Sequence, residues 1–359
     1  MKKGISYWSF GADLGNGNPS YDKVFKLAKK LGFDTVEASV SNDPASIIKF
    51  DTPDADLAAI KTAADAAGIE ISSVASGDYW GVPATSSDES VRSKAVSMIK
   101  DQLRIAAALG AKFILVVPGA VKPPFIPDAE HVPYALAYQR ATNAIKACVA
   151  TAVKYKVVIG VEIVWNRMLL SPLETRAFCK QFDSDYVKCY LDVGNVLFNG
   201  FPQDWIKILT YPKTERSYLA GVHIKDFKHH FLMGGEKGAL GKLHKAIQTI
   251  AKGSGWTGAY SFCDIGAGDL PCADVIAALK EANYNGPLTA EMLPPYKGVL
   301  AKTSKTLDEL LGRAEPVAAE PAKPSKGAKS SKSGKSVKAA KPKAAKSAKL
   351  TKKKPAKKK

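Results

Sequence analysis

The sequence predicts an α/β fold, a (β/α)8 barrel carrying a Lys-rich C-terminal tail, and three observations support this. Short β-branched segments alternate with longer amphipathic ones from Gly4 to Met292, as a parallel sheet with helical crossovers requires. Eight such strand-like segments can be read. In the later ones a carboxylate or an imidazole sits at the C-terminal end, where a barrel gathers its active-site loops.

In chain order, the strands are expected at Gly4 to Trp8, Thr35 to Ala38, Glu70 to Ala75, Phe113 to Val117, Val157 to Val164, Tyr190 to Val193, Gly221 to Lys225 and Leu288 to Met292. Between them, Tyr21 to Leu31, Ala55 to Ala67, Ser90 to Leu109, Tyr134 to Tyr155, Glu174 to Phe182 and Ala273 to Ala282 have the apolar spacing of one-sided helices. Gly32, Gly68 and Gly110 follow three of them, as helix ends favour. Phe227 to Asp269 reads as an enlarged loop after the seventh strand, with a helix from Leu240 to Lys252.

The fifth strand is the most informative. Val157 to Val164 is too short and too β-branched for a helix, yet it holds one acid, Glu162. Side chains alternate across a strand, so Gly160 and Glu162 share one face while Val161 and Ile163 share the other. Asp192, His223 and Glu291 occupy matching places in three later strands. Three carboxylates and one imidazole converging from four strand ends make a mostly oxygen site for one divalent cation, without which the like charges would repel.

The motifs VEIVWN with LLSPLE, LDVGN, VHIKD and YNGPLTAEM together resemble the sugar phosphate isomerase/epimerase family of xylose-isomerase-like TIM barrels, which includes ketose 3-epimerases and hexulose-phosphate isomerases. The resemblance covers roughly residues 4 to 300. It implies that Glu162, Asp192, His223 and Glu291 bind one divalent metal and that Glu162 and Glu291 also move protons. The implied reaction is isomerisation or epimerisation of a ketose or ketose phosphate, by proton abstraction next to a carbonyl through a metal-stabilised enediolate. Mn2+ is the first expectation for the ion; the donor set also accommodates Mg2+, Co2+ or Zn2+. Where the family often has Gly-acid-Gly-Asp, this chain has Gly266-Ala267-Gly268-Asp269.

Several neighbours have two readings. Lys225, on the inward face with His223, is either a contact for a substrate hydroxyl or phosphate or a structural ion pair with Asp226 or another acid. Asn166 and Asn195 are candidate sugar contacts or turn formers. Trp8 and Trp165 are stacking surfaces or barrel packing. Glu37 faces the same way as Thr35 at the end of the second strand and is a weaker candidate for touching substrate.

The charge of +18 is unevenly distributed: sixteen lysines against Glu315 and Glu320 place +14 in residues 314 to 359. Lys323 to Lys341 repeats lysine every third residue among Ala, Ser, Pro and Gly. So few apolar groups cannot offset the entropy of ordering, and a disordered tail is expected beyond a barrel of residues 1 to 313. Such a tail either attracts nucleic acid or anionic surfaces without sequence preference or only solubilises the protein. This leaves a different class of function to weigh, a non-catalytic or nuclease-related barrel tethered to nucleic acid. Related apurinic-site endonucleases use several histidines around three metals. Here the histidines are only His131, His223, His229, His230 and His244, and the fourth strand runs into Val116-Val117-Pro118-Gly119. Five cysteines without a CxxC pair, no signal-like start and no apolar run of about 18 residues point to a cytoplasmic protein. The expected partner is a small sugar or sugar phosphate, and a homo-oligomer is compatible with the sequence.

Overall fold

The computed structural model describes residues 1–15, 17–229 and 260–313. The helix expected over 240–252 and the tail over 314–359 lie outside the described residues.

Eight parallel strands close into a barrel. They are β1 (Lys2–Ser6), β2 (Thr35–Ser39), β3 (Glu70–Ala75), β4 (Phe113–Val116), β5 (Val158–Glu162), β6 (Val187–Asp192), β7 (Leu219–Ile224) and, after a two-stranded ribbon, β10 (Pro287–Ala290). The ring closes where β1 pairs with β2 on one side and β10 on the other. Helices α1 (Tyr21–Lys30), α2 (Asp54–Ala67), α3 (Glu89–Ala108), α4 (Tyr134–Tyr155) and α5 (Pro172–Lys180) follow the first five strands. A short α6 (Val193–Val196) and α7 (Pro202–Thr210) follow β6, while α8 (Cys272–Glu281) and α9 (Val299–Leu311) flank β10. No described helix is long and apolar enough to cross a membrane.

Local chemistry explains these boundaries. Gly68 ends α2 at φ 65°, a left-handed conformation that glycine adopts without a Cβ penalty. In the LLSPLE motif, the Ser171 side chain accepts from the Glu174 amide and Pro172 opens α5, where its missing N–H costs nothing. Buried aliphatic side chains of strands and helices form one main core, including Ile5, Val36, Ile114, Ile159, Val222 and Leu288. Inside the ring, a Cβ on Gly160 would lie 3.0 Å from Tyr190 Cβ, and one on Gly221 would lie 2.5 Å from the Phe113 ring. Those two glycines make room for a pair of aromatic rings packed edge to face at 5.4 Å.

The fold departs from the sequence reading in four places. The fifth strand stops at Glu162, and the chain then turns through Trp165, Arg167 and Leu169 at φ 43°, 58° and 56°. For bulky residues such a conformation costs on the order of 1–3 kcal/mol each, a cost met where surrounding structure holds the loop. The first strand ends at Ser6, so Trp8 sits in a 3-10 turn, Tyr7–Phe10. Glu291 falls one residue beyond β10. The segment expected as an enlarged loop contains an antiparallel ribbon of β8 (Asp226–His229) and β9 (Tyr260–Cys263), a pairing that the sequence reading did not include.

Candidate functional site

The C-terminal ends of β5, β6 and β7 bring Glu162, Asp192 and His223 together, with one donor atom from each lying within 4.8 Å of the others. His223 Nδ1 is 3.9 Å from Glu162 Oε1 and 3.7 Å from Asp192 Oδ2. Asp192 is also the cap of α6, its Oδ1 accepting from the Asn195 amide at 2.9 Å, which leaves Oδ2 for the site. All three residues are buried.

The fourth expected ligand, Glu291, reaches this group through Lys225. Lys225 Nζ lies 2.6 Å from Glu291 Oε2 and 2.9 Å from Asp192 Oδ2. The ammonium therefore pairs with two acids of this group and not with its sequence neighbour Asp226, while still lining the cavity. The Asp226 carboxylate instead accepts from the backbone amides of Phe227, Gly266, Gly268 and Leu270 and holds the GAGD loop against the ribbon. A Cβ on Gly268 would meet Asp226 Oδ1 at 2.2 Å, so glycine is required there whatever stands at position 267.

The electrostatics follow from burial and crowding. Burial pushes the Glu162 carboxyl up to about 7; His223 pulls it down, while Asp192 and Glu291 add to the rise. Burial works against the Lys225 ammonium, yet Asp192, Glu291 and Glu162 raise its pKa above the usual lysine value. For His223, burial is likewise outweighed, chiefly by Glu37 and Glu162, so its pKa is raised.

The donor set fits a divalent cation. Among the described residues, His223 Nδ1 is buried without a hydrogen-bond partner. Asp192 Oδ2 makes no well-aligned hydrogen bond either, despite its ionic contact with Lys225. A buried ring nitrogen and a buried carboxylate oxygen left over, both facing a third oxygen, are what a bound cation would satisfy on displacing any ring proton.

A cavity of about 290 Å3 opens onto this group, lined by Glu162, Asn195, Lys225 and Glu291 together with Trp8 and Trp165. Asn195 Nδ2 donates to Glu162 Oε1 at 3.3 Å. Asn166 is placed differently: fully buried and off the cavity lining, it donates to the Gly119 carbonyl at 2.8 Å. Trp8 donates from Nε1 to Ser39 Oγ, which fixes its ring beside the cavity. A larger groove of about 490 Å3 lies on the outer helical layer between α5, α7 and α8, but its charged residues are spread along a surface and no buried acid converges there.

Glu37 is the residue whose part sequence reasoning missed. It does not line the cavity; buried inside the barrel, it accepts from His223 Nε2 at 2.8 Å, from Tyr190 OH at 2.7 Å and from Ser73 Oγ at 2.8 Å. Its inward phase at the end of a strand was the available signal, but its partners are far away in sequence.

A profile described as xylose isomerase-like TIM barrel matches residues 25–310, well over half of the chain. The chain belongs to that family. Among relatives of this xylose isomerase-like barrel is the L-ribulose-5-phosphate 3-epimerase UlaE of Salmonella paratyphi C, 21% identical over 275 residues, covering 74% of this chain and 80% of that protein. Two solved structures share the fold. A D-psicose 3-epimerase with D-tagatose from Clostridium cellulolyticum H10 superposes with a TM-score of 0.61 at 20% identity, covering 87% of this chain and 92% of the other. A xylose isomerase-like TIM barrel protein from Mycobacterium smegmatis in complex with magnesium gives a TM-score of 0.60 at 18% identity, over 86% and 96% of the two chains.

Proposed function

We propose that this xylose isomerase-like barrel is a sugar isomerase/epimerase that moves a proton at a carbon next to the carbonyl of a ketose or ketose phosphate. The observation that carries the reading is the convergence of two glutamates, Glu162 from β5 and Glu291 after β10, on one cavity beside the Asp192 and His223 donors. The activities of the relatives, an L-ribulose-5-phosphate 3-epimerase and a D-psicose 3-epimerase, support it.

Glu162, Asp192, His223 and Glu291 would hold a divalent metal, Mn2+ first. When bound, the ion supplies positive charge beside the oxygen on which enediolate charge develops. Glu162, buried at the end of β5 and lining the cavity, is the carboxylate placed to act as the base. Asn195 orients that carboxylate, and Lys225 orients Glu291. Because β10, β7, β6 and β5 are consecutive around the ring, Glu162 and Glu291 approach the cavity from strands separated by two others. With a ketose between them, one glutamate takes the C3 proton and the other returns a proton to the opposite face, inverting the centre. Trp8 and Trp165 offer ring surfaces to the sugar's C–H groups, and Lys225 and Asn195 offer donors to its hydroxyls.

Solvent deuterium incorporation tests this. Metal-stripped protein given Mn2+ should exchange the C3 hydrogen of a ketose or ketose phosphate. Exchange at C1 or C2 would turn the assignment to aldose-ketose isomerisation, and no exchange across a panel of both would sink it. The multinuclear nuclease reading finds no support, because His223 is the only histidine in the candidate metal group among the described residues.

Residues 314 to 359 we assign to a separate basic segment that contacts nucleic acid or other anionic surfaces through counterion release. Removing them should leave turnover intact and weaken retention on DNA at low salt; equal retention by the truncated protein would refute the assignment.

A further inference from the structure

Resting on the metal reading above, we infer that Glu37 is a positioning residue for the metal site, fixing the His223 ring so that Nδ1 is the atom presented to the cation. The carboxylate has no route to substrate, since it is 1% exposed and absent from the cavity lining. Its two oxygens divide the work. Oε1 accepts from His223 Nε2, while Oε2 accepts from Tyr190 OH and Ser73 Oγ. With Nε2–H committed to Glu37, the other ring nitrogen is left facing Glu162 and Asp192, and it is the one without a hydrogen-bond partner.

Packing holds the arrangement from the second side. The Tyr190 ring meets the His223 ring edge to face at 4.5 Å, so the residue that braces Glu37 also limits rotation of the imidazole. Gly160 and Gly221 leave the space that the Tyr190 ring needs. The strand register slips twice near this network, between Val36 and Glu37 on β2 and between Cys189 and Tyr190 on β6. A bulge re-aims the side chain that follows it, and these two slips immediately precede the two residues that meet in the barrel interior. A carboxylate behind a metal-binding imidazole orients the ring and raises the basicity of the coordinating nitrogen, and losing it lowers metal affinity by roughly 10–100-fold.

A purely structural acid would behave differently, because its loss would weaken the fold equally with and without metal. The test is Mn2+ titration by calorimetry, paired with thermal unfolding in the presence and absence of Mn2+, on the full chain and on Glu37→Gln and Tyr190→Phe. Gln keeps an acceptor for Nε2–H but removes the charge. Glu37→Gln should raise the Mn2+ dissociation constant by roughly 10–100-fold, shrink the Mn2+-dependent rise in melting temperature, and regain turnover as Mn2+ is raised. Tyr190→Phe should shift Mn2+ affinity in the same direction by less. A wild-type dissociation constant in Glu37→Gln overturns the inference, as does a melting-temperature loss that is the same with and without Mn2+. Should Glu37→Gln fail to fold, unchanged affinity in Tyr190→Phe overturns it. If the unmodified chain binds no Mn2+, the metal reading falls and takes this inference with it; if it binds while both variants bind equally, only the role of Glu37 falls.

Discussion

Two buried lysines mark the two ends of this barrel, and they are held in different ways. Lys3, near the start of β1, donates to both oxygens of Asp308 at 2.8 and 2.7 Å and to Ser304 Oγ at 3.0 Å, tying the first strand to α9. One ammonium meets one carboxylate, and every donor has a place to go. Lys225, at the C-terminal end of β7, is shared between Glu291 and Asp192, with Glu162 acting on it as well. There the acids outnumber the lysine, and a buried imidazole nitrogen is left without a hydrogen bond. Balanced charge closes the N-terminal end of the barrel; at the C-terminal end the buried acids exceed the buried lysine, as the proposed cation site requires. This matches the division between stability and chemistry expected of the two faces of such a barrel.

The sharpest way to break the comparison is to remove the acids. Glu162→Gln and Glu291→Gln should each lower kcat by about 10²- to 10⁴-fold while the melting temperature stays within a few degrees, read by initial rates and thermal unfolding. Normal turnover in either variant would take that glutamate out of the mechanism. Metal removal should follow the same division: chelation abolishes turnover, and restoring Mn2+ at about a hundred times its dissociation constant adds about 2.7 kcal/mol of stability. A melting temperature indifferent to Mn2+ would contradict a cation among the buried acids.

The lysines themselves should give opposite signatures. Lys3→Met strands Asp308 and costs about 3 kcal/mol of stability, with activity per folded molecule preserved. Lys225→Met should cost turnover more than stability when Mn2+ is present. If Lys225→Met only destabilised and Lys3→Met only impaired catalysis, the contrast between the two ends would be wrong. The smallest effect concerns Asp34, at the same end as Lys3. Burial raises its carboxyl pKa, but the Arg313 hydrogen bond and the Lys3 amide outweigh this and hold it below the ordinary aspartate value of 3.8. A folded-state value below the unfolded one stabilises the protein above 3.8, and that contribution disappears as pH falls through the folded value. Asp34→Asn should therefore flatten the acid limb of thermal stability slightly, and an unchanged limb would refute the role.

Much of this was legible because short-range periodicity carries it. The alternation of strand and helix patterns, the inward phase of Glu162, Asp192 and His223, and the Ser171-Pro172 start of α5 depend on spacings of a few residues. The partner of Lys225 was not legible. Its sequence neighbour Asp226 turned to the backbone of the GAGD loop, and Glu291, 66 residues away, took its place. Glu37 was harder still, since 186 residues separate it from His223 and 153 from Tyr190. Likewise the first and fifth strands stop at Ser6 and Glu162, short of the expected Trp8 and Val164, because the chain beyond them turns in to line the cavity, which no local pattern encodes.

The sequence by itself determined the barrel, its family and the convergence of Glu162, Asp192 and His223, because side-chain alternation and motif spacing are local properties of a strand. Tertiary structure decided which nitrogen of His223 faces the acids, which carboxylates share Lys225 and why Glu37 is buried. Those depend on distances across the barrel interior, and only closing the ring brings such residues within hydrogen-bonding reach.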